Sequence, residues 1–271
     1  MKKRNILIFT AFHNRAHISQ LYWYGIERLR KNFNIKVLSI ISDDSNKTLA
    51  EKHSDFIVET ENKPLGKKLN TGLKKVLELD FDFMVQLGSD NLITDRLMSV
   101  YEFYFNSGCQ LFGAANTILF DSVSKQVQTF DFGNVWSASS KSLLNKVCNT
   151  KKLQMLHSLS GANFNYGKGA FVNLPEQTAD NYVARGLATY ILSEQKLWDD
   201  EKMQGLDRNS EVKFESVGIA NFPVVTEEPE IICVKSEENI WKYDFYKGGE
   251  FQKEKLQEKI SEKEFQYLTN L

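Results

Sequence analysis

Short apolar runs alternate with helical periods along the N-terminal part of the chain. Asn5 to Phe12 is almost continuously apolar, as in a strand covered on both faces of a parallel sheet, and His13-Asn14-Arg15 ends it. Ile18, Leu21, Tyr22, Gly25, Ile26 and Leu29 then recur at spacings of three and four and predict a helix. Ile35 to Ile41 reads as a second strand, stopped by Ser42-Asp43-Asp44-Ser45-Asn46. A short helix over Thr48 to Lys52 and a short strand over Phe56 to Val58 follow. Pro64 and Gly66 mark Glu61 to Gly66 as loop. A helix from about Lys67 to Leu79 leads into the apolar run Phe81 to Leu87, which ends in Gly88-Ser89-Asp90-Asn91, and another helix is expected from Thr94-Asp95-Arg96. This alternation predicts an α/β fold with a mostly parallel central sheet flanked by helices.

From Gln110 the pattern loosens. Gln110 to Phe120 is strand-like, Gln126 to Phe132 alternates, and Ser139 or Ser140 caps a helix near Lys141 to Val147. Ser158 to Asn173, rich in Gly, Asn and Ser, reads as a loop bordering a site. Ala179 to Ser193 reads as helix and Val217 to Val225 as strand. The charged, aromatic tail after Glu237 ends in an amphipathic segment, Lys253 to Leu268, with Leu256, Ile260, Phe265 and Leu268 as its apolar positions. It reads as a packed helix. Peripheral membrane contact is the alternative, weakened by charges that are mixed rather than basic.

Bulk properties remove several function classes. The 271 residues carry a net charge of -1, so there is no general electrostatic case for nucleic acid or an anionic membrane. Cys109, Cys148 and Cys233 are few, odd in number and far apart, which argues against a disulfide framework or a zinc site and fits a reducing compartment. Without a signal segment or a long apolar run, a cytoplasmic location with no transmembrane segment is expected. No Gly-x-Gly-x-x-Gly follows the first strand and no P-loop occurs anywhere.

In open α/β sheets, ligands sit outside the carboxyl ends of the strands. Asp90, just past the Phe81–Leu87 run, is therefore the first candidate for chemistry, against the plainer reading of Gly-Ser-Asp-Asn as a turn. In order and spacing, four segments resemble nucleotide-sugar glycosyltransferases of the GT-A fold, closest to the family 2 type. Thr10-Ala11-Phe12-His13-Asn14-Arg15 is similar to the family's Pro-Thr-Tyr-Asn-Arg, and Ser42-Asp43-Asp44-Ser45 to its Asp-Asp-Gly-Ser. Glu61-Asn62 through Asn70-Thr71-Gly72-Leu73 resembles its Glu-Asn-x-Gly…Ala-x-Asn-x-Gly-Leu. Gly88-Ser89-Asp90-Asn91 falls where the family has Asp-x-Asp, with one of the two carboxylates missing.

The resemblance implies a GT-A-like, Rossmann-related domain over residues 1–236, split into a nucleotide-binding half (1–109) and an acceptor half (110–236), with a C-terminal helical extension at 237–271. It implies an enzyme that moves a sugar from a UDP- or GDP-sugar to a glycan, lipid-linked or small-molecule hydroxyl, with inversion. Thr10, Phe12 and Asn14 would line the base and ribose pocket, and Asp43 or Asp44 would accept from base or ribose. Gly66 would allow close backbone approach, Asn70 and Ser89 would complete the nucleotide site, and Arg15, Lys67 or Lys68 would meet phosphate, with Arg15 favoured. Asp90 would hold Mg²⁺ or Mn²⁺. Asp207 is the favoured general base, with Asp199, Asp200 and Glu201 competing. A non-catalytic nucleotide-sugar or glycan binder and a nucleotidyltransferase are the rival readings.

Overall fold

The computed structural model describes residues 3–131, 137–161, 164–198, 200–202, 213–215, 217–239 and 243–271. Its first part alternates as expected: β1 (Asn5–Ala11), α1 (Ala16–Asn32), β2 (Asn34–Ile41), α2 (Lys47–His53), β3 (Phe56–Glu59), α3 (Leu65–Glu78) and β4 (Phe83–Gln86). Then follow β5 (Asn91–Ile93), α4 (Asp95–Asn106), β6 (Leu111–Ala114), β7 (Asn116–Asp121), β8 (Val127–Asp131), β9 (Ala138–Ser140) and α5 (Lys141–Cys148). The remainder is β10 (Asn149–Met155), β11 (Leu159–Gly161), β12 (Phe164–Tyr166), β13 (Phe171–Pro175), α6 (Glu176–Ala184), β14 (Ala188–Gln195), β15 (Phe222–Val224), β16 (Ile231–Lys235) and β17 (Gly249–Glu250), closed by α7 (Leu256–Lys259) and α8 (Glu262–Asn270).

The central sheet has seven strands in the order β15-β6-β9-β4-β1-β2-β3. All its pairings are parallel except the two made by β9. Successive side chains of a strand point to opposite faces, and β1 uses both. Ile6 and Ile8 join the core that holds Trp23, Ile26 and Leu29 of α1 and Leu97 and Met98 of α4. Leu7 and Phe9 join the core that holds Leu69, Leu73 and Val76 of α3 and Leu143, Leu144 and Val147 of α5. A strand buried on both faces has no polar alternation, hence the continuous apolar run. Gly72 lets α3 lie this close: a Cβ there would come within 2.4 Å of Ile40 Cδ1 and 2.9 Å of Phe9 Cε2.

A second sheet, ordered β17-β8-β7-β16-β5, stands beside the first. The expected single strand Gln110 to Phe120 divides at Ala115, so that β6 belongs to the first sheet and β7 to the second. Other expectations shift as well. Ser158 to Asn173 is not simply loop: β11 and β12 pair as a hairpin and β13 begins at Phe171. The helix expected over Ala179 to Ser193 stops at Ala184, where Gly186 takes a left-handed φ of 68°, and Ala188 to Gln195 pairs with β10 instead. The C-terminal helix breaks at Ile260, because Ser261 and Glu264 form a capping box that starts α8 afresh. Leu256, Ile260 and Leu268 share one hydrophobic cluster with Ile18, Leu21, Leu92, Ile118 and Ile232.

Candidate functional site

The loops leaving β1, β2 and β4 meet at the carboxyl edge of the central sheet. Phe12 N donates to Ile40 O at 2.8 Å, which keeps the β1 exit against β2. Asn14 and Arg15 then take left-handed φ values of 51° and 53°. Two consecutive non-glycine residues in that region carry a local conformational cost of about 1 kcal/mol each, so surrounding bonds must hold them. Asp43 supplies those bonds. Its Oδ2 accepts from Asn14 N at 3.0 Å and lies 3.4 Å from His13 Nδ1, while its Oδ1 accepts from Ser45 Oγ and from Asn46 N and Nδ2. Asn46 Nδ2 also donates to Asn14 O at 2.7 Å. Burial would raise the Asp43 carboxyl, but the hydrogen bonds from Ser45, Asn14 and Asn46 outweigh it and hold the group below the usual carboxylate range.

Beneath this loop lies Lys68, 1% exposed. Its ammonium donates to Phe12 O, to Ser42 Oγ at 2.7 Å and to Asn62 Oδ1 at 3.3 Å. Burial pushes its pKa down to about 8, against the opposing field of Asp43.

On the other side, Arg15 reaches Asp90. Its Nη1 lies 3.2 Å from Asp90 Oδ2, with both side chains largely covered. The same oxygen accepts from Asn239 Nδ2 at 2.7 Å. Among the described residues, Arg15 Nε and Nη2 make no hydrogen bond. β16 runs beside β5, and Val234 N donates to Asp90 O at 2.8 Å. Two residues apart on β16, Cys233 and Lys235 share one face. Lys235 is 7% exposed, and its Nζ contacts Tyr246 Oη at 3.2 Å and stands 4.8 Å above the Tyr246 ring. Burial would lower the Lys235 ammonium, but Cys233, Asp90 and Tyr246 together hold it above the ordinary lysine value. Burial pushes the Cys233 thiol up to about 12, with Asp90 adding to the shift.

The sequence-derived site residues thus sort into groups. Asn14, Arg15, Asp43 and Asp90 are brought together. Asp44 is exposed beside them, and among the described residues nothing donates to its carboxylate. Ser89 is buried next to Asp90 and Lys67 is exposed, 3.8 Å from Glu61. Thr10 and Phe12 lie beneath the surface: Thr10 shares a 2.7 Å hydrogen bond with Tyr22, and Phe12 stacks on Trp23 at 5.6 Å. Gly66 and Asn70 face another segment. Gly66 N donates to Lys202 O, while Asn70 donates to Trp198 O and Asp200 Oδ1 and accepts from Leu197 N and Trp198 N. Asn70 is therefore a clasp between α3 and residues 197–200. The Asp200 carboxyl, whose burial would raise it, is held low by Lys196 and Asn70. Asp199 and Asp207 lie outside the described residues. Sequence reasoning missed Lys235, Asn239 and Tyr246, which come from the far end of the chain and carry no local motif. Asn62 stood within a quoted motif, without a role.

A divalent ion at Asp90 would require a shell of oxygen ligands, six for Mg²⁺. Asp90 Oδ2 is instead shared by a guanidinium and an amide, and an ammonium stands near. Among the described residues, no cluster of three or more His, Cys, Asp or Glu side chains is placed to hold a metal ion. The side chains present around Asp90 fit a divalent cation poorly.

No protein-family model matches this sequence, and no curated protein matches it. Solved structures do. A mannosyltransferase from Pyrobaculum calidifontis, solved with GDP-mannose and Mn²⁺, is 12% identical, with 87% of this chain and 57% of that one covered and a TM-score of 0.43. S. aureus TarS, residues 1–349, is 10% identical over 85% and 60% of the two chains, with a TM-score of 0.39. Glucosyl-3-phosphoglycerate synthase from Mycobacterium tuberculosis, solved with Mn²⁺, UDP and glucosyl-3-phosphoglycerate, is 16% identical over 53% and 59%, with a TM-score of 0.37. This chain covers less than two thirds of the length of each.

Proposed function

We propose that this chain is a glycosyltransferase that moves a sugar from a nucleoside diphosphate sugar to an acceptor hydroxyl. The observation that carries this reading is the bonded cluster His13-Asn14-Arg15, Asp43 and Asp90 at the carboxyl edge of the sheet. It places a carboxylate loop and a cation side by side where an open α/β sheet takes its ligand. Residues 1–236 form the transferase unit in this reading, with 237–271 as an extension.

Asp44, exposed and without a donor among the described residues, accepts from the base or ribose. Asp43 sets the loop that presents it. Arg15 meets the diphosphate with the nitrogens that Asp90 leaves open. In the transfer, the acceptor oxygen bonds to the anomeric carbon from the face opposite the diphosphate, and its proton passes to a carboxylate. The anomeric C–O bond breaks, and its electron pair leaves on the nucleoside diphosphate. Asp207 is the proposed base, and the product is inverted. The acceptor is a glycan, a lipid-linked sugar or a small molecule. Among the described residues no helix is long and apolar enough to cross a membrane.

The sequence-derived reading assigns Mg²⁺ or Mn²⁺ at Asp90 to the diphosphate; the side chains around Asp90 point to a different agent. The test is nucleoside diphosphate release from a panel of UDP- and GDP-sugars with mixed acceptors. One donor is expected to turn over, with Asp207→Asn lowering kcat at least 100-fold and KM for donor changed by less than threefold. Thermal stabilisation by a donor without release under any acceptor would leave a nucleotide-sugar binder instead.

A further inference from the structure

We infer that Arg15 and Lys235 neutralise the donor diphosphate in place of a divalent cation, so that nucleotide binding at this site is metal-independent. This rests on the donor reading above and goes beyond it.

The first support is Lys235 itself. An ammonium taken out of water is costly unless a counter-charge or full hydrogen bonding replaces the solvent. Lys235 is 7% exposed, yet among the described residues no carboxylate lies within ion-pair distance, and its side-chain contacts are the neutral Tyr246 hydroxyl and ring and the Cys233 thiol. Asp90 acts on it only as a field. The ammonium is thus buried, charged and short of an anion.

Arg15 is the second support. Asp90, itself held by Asn239 Nδ2, fixes the guanidinium through Nη1, and among the described residues Nε and Nη2 remain to donate. A guanidinium so anchored offers a preorganised fork for phosphate oxygens, whereas a lysine acts as a point charge. Asp90 is here a positioning carboxylate. It holds Arg15 rather than a metal ion.

The third is the helix behind. α1 opens with no side-chain cap on its first turn and no acidic residue there. Ile18 N and Ser19 N donate to Arg15 O, so it is the N–H groups of Ala16 and His17, with the positive end of the helix dipole, that add to the two side chains. In chemical terms the leaving nucleoside diphosphate gains charge as the anomeric bond breaks. Fixed cations in a covered site stabilise that charge without the reorganisation that water needs.

The experiment is calorimetric titration of the whole chain with UDP and with GDP, in EDTA and again with Mn²⁺. One nucleotide is expected to bind with dissociation constants that differ less than threefold between the two conditions. Lys235→Met and Arg15→Gln, each checked for folding by circular dichroism, are expected to weaken binding at least tenfold in EDTA, and Lys235→Arg to recover most of the loss. Binding seen only with Mn²⁺ would overturn this inference and leave the donor reading standing. Binding by folded Lys235→Met equal to wild type would do the same. Absence of binding by either nucleotide, with and without Mn²⁺, would overturn both. The EDTA comparison uses the unaltered protein, so it decides the matter even if a variant fails to fold.

Discussion

Two buried lysines, one beneath the central sheet's β1–β2 junction and one at the end of β16 in the second sheet, are treated in opposite ways. Lys68, under the β1–β2 junction, donates to three oxygens, and burial brings its pKa down to about 8. Lys235, at the β5–β16 junction, has a tyrosine hydroxyl and ring for company, and the charges and dipoles around it hold its proton more firmly than usual. In the proposed reading, the difference separates scaffold from site. A lysine whose donors are used by the backbone and by neighbouring side chains ties loops together. One that stays charged with donors to spare is arranged for something not yet bound. Asp43 and Asp90 repeat the contrast, since Asp43 is saturated by its own loop while Asp90 is shared between the first strand's exit and residues from the far end of the chain.

The comparison can be broken most directly by removing each lysine and measuring stability in urea. Lys68→Met leaves Phe12 O, Ser42 Oγ and Asn62 Oδ1 without their donor and is expected to lower stability by about 3 kcal/mol, at about 1 kcal/mol per lost bond. Lys235→Met is expected to lower stability by no more than about 1 kcal/mol, because it removes one hydrogen bond to Tyr246 and a charge that no ion pair fixes among the described residues. Equal losses in the two variants would erase the distinction.

A pH series sharpens the Lys68 side. Its folded pKa of about 8 lies below the ordinary 10.5, so the unfolded chain binds more protons between those values. Stability therefore rises with pH across that window, relative to Lys68→Met, by up to about 3 kcal/mol in all. The contribution is fully present above pH 10.5 and is lost as pH falls through 8. A wild-type-minus-variant difference that stays flat between pH 7.5 and 11, roughly half a unit beyond each end of that window, would contradict a Lys68 pKa below normal.

On the Lys235 side, the tenfold loss of nucleotide affinity expected for Lys235→Met corresponds to about 1.4 kcal/mol, and the matching loss for Lys68→Met should be smaller once the protein is folded. The smallest effect is assigned to Tyr246→Phe. It removes one contact to Lys235 and keeps the ring beneath the ammonium, so affinity should fall about threefold, near 0.6 kcal/mol. A larger drop in the same calorimetric titration would make the tyrosine hydroxyl, rather than the ammonium, the principal ligand.

Local pattern determined the βα alternation from Asn5 to Asn106, because each element there buries a face against neighbours close in sequence and the burial period is written into its residues. The caps were equally local: Thr94, Ser140 and Ser261 each accept from a backbone N–H three residues on. The cluster proposed as the site was legible in Asn14, Arg15, Asp43 and Asp90, polar residues that interrupt apolar runs at strand ends and that the fold brings together. Tertiary structure alone decided the rest. β9 separates β4 from β6, β15 extends the sheet beyond β6, and β16 lies between β7 and β5. Pairings across such sequence distances leave no periodic trace in any one segment. The same holds for Asn239 on Asp90, 149 residues apart, and for Lys235 beside them. Asp43 and Asp44 are chemically alike and adjacent. Only the backbone's turn after β2 sends one carboxylate into its own loop and leaves the other facing solvent.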